Sequence, residues 1–352
     1  MLKVSMIRAA LRPTFGSHWP DHEKVASLTA PASARARELA IRIPEQELYA
    51  GEIRDAVMPH GLRCPRCGSP RAVRFGRRRE AQRYRCKACM RTFTNFTGTV
   101  LHGLRRLDLW LDFCRCLTEG LSVRHVAAEL GISKNTSFAW RHRVISALAS
   151  ADSDIMCEGL VELAQLPMLR SFKGSRVPAE AHMGGLKSSV RRHHRVYGHL
   201  IPRSRQITMV VAVDRAGRVR ATVAPCGEAL TPTLAKMTQA DAEVCTPRFG
   251  SRLRFGTGWP GGVKWICTSA QAPGRTSKDD GCPLYHVRNA NRLIHYFMEW
   301  MMRFCGVATK YLLRYFAWYL RCAALAVVNS RVTAKLLLFE ALGGPSVIRQ
   351  MG

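Results

Sequence analysis

Four cysteines are the residues whose type and spacing most directly dictate a chemistry. Cys64-Pro-Arg-Cys67 and Cys86-Lys-Ala-Cys89 are two C-x-x-C pairs with 18 residues between them, a separation expected of a four-thiolate zinc site. Tetrahedral zinc needs four soft donors converging on one point, and each two-residue spacer lets a tight turn aim both sulfurs inward. The metal then substitutes for a hydrophobic core that so short a segment cannot build. Four thiolates close the coordination sphere and leave no position for a reactive water, so the expected Zn²⁺ at Cys64, Cys67, Cys86 and Cys89 is structural.

Around these ligands the sequence is strongly basic: between His60 and Arg91 the one acid is Glu80. Arg77, Arg78, Arg79 and Arg83 are the expected contacts to phosphate. The whole chain repeats the bias, with 54 Lys and Arg against 25 acidic residues and a formal charge of +29. A polyanionic partner follows, nucleic acid before any other. A membrane surface fits poorly, because the cations are spread along the chain and not gathered on one amphipathic segment.

A second DNA-directed unit lies downstream. Leu121 to Ser133 reads as a capped helix followed by a Gly131-containing turn, with Ser133 capping a second helix from Lys134 to about Leu148. Lys134, Asn135, Thr136, Arg141 and Arg143 are the polar and cationic residues that this second helix offers to a major groove and its phosphate walls. An ordinary helical hairpin is the plainer alternative for a motif this degenerate.

The elements that must position these groups can be read coarsely. Residues 1–58 form a leader of loose order with a short helical pattern near Pro44 to Val57; 59–98 are the ribbon; 105–150 are helical, with Leu107, Trp110, Leu111 and Cys114 at helical spacing. After Cys157 the pattern mixes strands and turns, and Ile207 to Val213, Asp214-Arg215-Ala216-Gly217 and Val219 to Val223 predict a β-hairpin. Phe249 to Asp280 shows no period and reads as irregular. Asn289 to Leu320 returns to helical periodicity. The apolar stretch from Tyr311 to Val328 carries Arg314 and Arg321, which points to a core helix and not a membrane span. The 13 cysteines come without a secretion signal, so reduced thiols in the cytoplasm are expected.

The string from Gln82 to Cys89, continued by Arg91-Thr92-Phe93 and Thr97-Gly98-Thr99, resembles the N-terminal zinc ribbon of bacterial insertion-sequence transposases, as does the helix-turn-helix after it. Ser171-Phe172-Lys173-Gly174-Ser175-Arg176 and Arg303 to Leu312 look like two signature stretches of the ISXO-type zinc-ribbon branch. The resemblance spans about Cys64 to Trp318. It implies an α/β multidomain protein: zinc ribbon, helix-turn-helix, and an RNase H-like domain over 156–345. It also implies double-stranded DNA of element ends as partner, nucleoid association, action as a homo-oligomer, and DNA contacts from Lys173 and Arg176.

In that family two Asp and a third residue hold two Mg²⁺ or Mn²⁺ ions for phosphoryl transfer, because only hard oxygen ligands bind such cations well. Here Ala164 stands at the first position, Cys245-Thr246 leads into Pro247 at the second, and the third falls at Ile294 or His295. Strand transfer would need substitutes from Glu162, Asp241, Glu299 or His295. Glu162, two positions from Ala164 on a strand, is the first to consider. The expectation is an insertion-sequence transposase by descent that binds terminal DNA and has lost its cleavage chemistry. A DNA-binding regulator without chemistry is the rival, and a zinc-ribbon RNA-binding protein a third reading.

Overall fold

The computed structural model describes residues 61–78, 81–151, 156–173, 206–225, 229–247, 259–266, 285–325 and 330–343. Those residues form two sheets and seven α-helices, a mixed α/β chain. The leader, including the pattern near Pro44 to Val57, lies outside them.

The first sheet is small and antiparallel: β1 (Ala72–Arg78), β2 (Ala81–Cys86) and β3 (Thr92–Thr94), in that order. Alternation gives it two unlike faces. Tyr84 and Phe93, stacked at 5.4 Å between ring centroids, pack inward with Cys64 and Cys86, while Val73 and Phe75 are exposed.

Three helices follow: α1 (Trp110–Thr118), α2 (Val123–Glu129) and α3 (Lys134–Ala151). The serine caps form as the sequence predicts. Ser122 Oγ accepts from the His125 amide at 3.3 Å and Ser133 Oγ from the Thr136 amide at 3.0 Å, satisfying donors that a helix start otherwise leaves open. Gly131, at φ +62°, supplies the left-handed turn between α2 and α3.

The second sheet contains β4 (Leu160–Leu169), β5 (Gln206–Asp214), β6 (Val219–Pro225), β7 (Glu243–Pro247) and β8 (Val263–Ile266), in spatial order β6-β5-β4-β7-β8. The first three pair antiparallel and the last two parallel to β4 and β7. The predicted hairpin is β5–β6, turning at Arg215 to Arg218. A short helix, α4 (Leu230–Leu234), precedes β7. The reading of Phe249 to Asp280 as irregular needs correction, since β8 lies inside it. Val-Lys-Trp-Ile is too short to show a period, and its pairing with β7 makes it a strand.

Both faces of this sheet are buried, which explains the unbroken apolar run of β5. Val161, Leu163, Val210 and Ala212 pack on one side with Leu234, Met237 and Trp259. Ala164, Met209, Val211 and Val213 pack on the other with α5 (Arg288–Met302), α6 (Leu312–Leu325) and α7 (Ser330–Gly343). The same cluster includes Trp110 and Phe113 of α1 and Trp140, Val144 and Ile145 of α3, so α1 and α3 share one core with the sheet's helical layer. The stretch from Asn289 to Leu320 is not one helix: Cys305 (φ +52°) and Gly306 (φ +89°) turn the chain between α5 and α6. The apolar stretch after Tyr311 is largely the buried helix α6. Among the described residues no helix is long and apolar enough to cross a membrane.

Candidate functional site

The four cysteine sulfurs lie within 4.8 Å of one another. Cys64 and Cys89 are 3.7 Å apart and Cys67 and Cys86 3.6 Å. Sulfurs bound tetrahedrally at 2.3 Å from zinc sit about 3.8 Å from each other, so the cluster is compatible with a structural Zn²⁺. Each knuckle ends in a left-handed residue, Gly68 at φ +72° and Met90 at φ +58°, which turns the chain back after the second sulfur. The amides of Cys89 and Ala88 donate toward Cys86 and lower its thiol, while the neighbouring Cys67 thiol is raised, so Cys86 is the first of the pair to ionise.

On the outer face of the ribbon the guanidinium carbons of Arg83 and Arg85 stand 5.0 and 5.4 Å from the centroid of Phe75. Phe75 is 43% exposed, so this is an aromatic flanked by cations in solvent. Strand alternation could have found Phe75: residues two apart on β1 and β2 share a face. Arg77 is exposed. The Arg78 side chain, Arg79 and Arg176 lie outside the described residues.

On α3, Lys134 and Asn135 are exposed, beside an open depression lined by Arg124, Ala127, Ala128, Ile132 and Ser133. Thr136 Oγ1 pairs with the capping Ser133 at 2.9 Å. Arg143 is half-buried, and desolvation lowers its pKa. Arg141 needs correction as a DNA contact. It is 1% exposed, its Nη2 donates to the Leu121 carbonyl, and its guanidinium lies 5.1 Å from the Trp318 ring and 5.6 Å from Phe304. Burial lowers its pKa. Arg141 ties the loop before α2 to α6 and is closed to a duplex.

Lys173 is likewise engaged by the protein. Its ammonium donates to the Cys305 and Gly306 carbonyls at 2.9 and 3.1 Å, and Ser171 and Thr309 exchange bonds of 2.8 and 3.2 Å beside it. Two stretches singled out far apart in the sequence therefore dock on each other, and the lysine stabilises the turn after α5.

The proposed substitute carboxylates are not brought together. Asp241 is exposed in the turn before β7, and His295 is exposed on α5, 3.3 Å from Glu299. Glu162 is 1% exposed and fully occupied: it accepts from the Asn289 amide at 2.8 Å, Asn289 Nδ2 at 2.8 Å and the Ala290 amide at 3.2 Å, with Arg215 bonded to Oε1 and His286 Nδ1 3.2 Å away. It serves as the anion at the N-terminus of α5. Nothing local in the sequence signals this, because the partners lie 127 and 128 residues away.

Ala164, Pro247 and Ile294 or His295 stand at the positions where the resemblance implies acidic ligands. Leu160, Val161 and Glu162 pair with Glu243, Val244 and Cys245; continuing that parallel register by two residues sets Ala164 level with Pro247. Ala164 is fully buried in the cluster that also holds Ile294. Ala164, Pro247 and Ile294 offer no ligand atom, His295 points to Glu299 at the surface, and among the described residues the cysteine set is the one group of three or more His, Cys, Asp or Glu at ligand distance. Among the described residues, those at these positions do not fit a two-metal site.

Over 131 residues the chain is 31% identical to an uncharacterized protein in transposable element ISH50 of Halobacterium salinarum, a match covering 37% of this chain and 44% of that protein. The chain thus matches less than half the length of that curated relative. No protein-family model matches, and no solved structure does.

Proposed function

We propose that this protein is a transposase by descent that binds double-stranded DNA of element ends through its zinc ribbon and helix-turn-helix, and that it lacks metal-dependent strand cleavage. The observation that carries the DNA reading is the α2–α3 unit, capped at both helix starts, with Lys134 and Asn135 free at the tip of α3. The exposed Arg77 and the arginine-flanked Phe75 add a second cationic surface. Descent is supported by the partial likeness to a transposable-element protein and by the sheet. A three-stranded antiparallel meander whose first strand, β4, is flanked by β7 and then β8 in parallel is compatible with the RNase H-like domain that the resemblance implies.

The absence of cleavage rests on Ala164, Pro247 and either Ile294 or the Glu299-paired His295 at the acidic positions, and on the use of Glu162 by α5. No step of two-metal phosphoryl transfer can be assigned to these residues. The test is a labelled duplex of the DNA flanking this gene, mixed with purified protein in Mg²⁺ and then Mn²⁺. Retarded, intact duplex is expected. Metal-dependent nicking refutes the loss of chemistry, and a salt-dependent preference for single-stranded RNA over the duplex refutes the DNA reading.

A further inference from the structure

The exposed stripe of α3 does not end at Lys134 and Asn135. Phe138, 42% exposed, and the half-buried His142 follow at helical spacing. Their rings are 4.2 Å apart, and Tyr311, from the turn that opens α6, lies 4.0 Å from His142 and 6.1 Å from Phe138. Lys310 Nζ stands 4.9 Å from the Tyr311 centroid and the Arg314 guanidinium 5.7 Å. Neither cation has a carboxylate within 4.0 Å among the described residues. Two segments 170 residues apart, α3 and the start of α6, thus build one aromatic surface edged by cations.

We propose that this surface is a phosphate-contacting shoulder of the DNA-binding face, with Lys310 and Arg314 reaching the backbone of the duplex whose groove receives the start of α3. The inference rests on the helix-turn-helix reading given above. Charge complementarity selects the occupant. Burial first, and then the nearby cations Arg314, Arg141 and Lys310, hold the His142 imidazole down to about 4. Both its ring nitrogens are buried without a hydrogen-bond partner. The locus is therefore positive, with a neutral histidine at its centre, and an anion is its natural complement. His142 lies eight residues beyond Lys134, about 12 Å further along the helix axis, so the aromatic surface continues past the helix start.

The experiment measures affinity of the full chain for a fluorescein-labelled duplex of the flanking DNA, and for one of mixed sequence, across a salt series. Lys310→Ala and Arg314→Ala are each expected to weaken both duplexes alike and to reduce the slope of log K against log salt by about 0.9, one phosphate contact each. Arg314→Lys, which keeps the charge, retains the slope. Unchanged affinity and slope in both alanine variants, while Lys134→Ala weakens binding, rejects the shoulder and leaves the helix-turn-helix reading standing. Failure of the wild-type chain to bind either duplex rejects both. Weakened binding that Arg314→Lys does not restore and that follows a lowered thermal midpoint assigns the residues to packing and overturns the proposal.

Discussion

Replacing Glu162 by Ala should unfold the protein more readily, not disarm an active site. The carboxylate receives three N–H donors from Asn289 and Ala290 and a guanidinium from Arg215, at 1% exposure. Truncation leaves the start of α5 and a cation without their anion, and removing one partner of a buried charged network costs about 3 to 5 kcal/mol. At about 2 to 4 °C per kcal/mol for a unit of this size, the thermal midpoint should fall by roughly 10 °C. Glu162→Gln keeps the shape and one acceptor, so its midpoint should lie between those of Ala and wild type. Scanning calorimetry or circular dichroism melting reads this directly. A midpoint within about 2 °C of wild type, together with metal-dependent nicking that disappears in the variant, would show that Glu162 is a metal ligand and that the structural reasoning is wrong.

Arg141→Ala should lower stability by about 3 kcal/mol, through a lost buried side chain and an unsatisfied Leu121 carbonyl; a normal melt with DNA binding abolished would restore it as a contact. Cys86→Ser should release the zinc and unfold the ribbon while β4 to β8 persist, and metal analysis showing full occupancy in the variant refutes the four-thiolate site. His142 is held below its ordinary 6.5 at about 4, so between those values the folded protein binds fewer protons than the unfolded chain. Stability is then present above pH 6.5 and declines as pH falls toward 4, by about 1 to 2 kcal/mol once solvent screening of this partly exposed ring is allowed for. His142→Phe should flatten that limb in pH-dependent denaturant titrations, and an unchanged limb assigns the acid sensitivity to other groups.

The features that the sequence alone determined are those set within a few residues. Each C-x-x-C pair is a local turn, each serine cap bonds an amide three residues on, and the β5–β6 hairpin follows from apolar runs about a four-residue turn. Even the assembly of the four cysteines needs only the β1–β2 hairpin between them. Where a group's role depends on a partner far along the chain, no local pattern distinguishes the outcomes. Arg141 has the spacing of a groove contact, yet α6 packs over it; Lys173 looks free, yet the turn at Cys305 and Gly306 takes its ammonium; Glu162 looks like a spare strand carboxylate, yet α5 starts on it. β8 is a strand because β7 pairs with it. These assignments belong to the tertiary structure, because burial and hydrogen bonding are settled by which segments meet, and packing brings together residues more than a hundred positions apart.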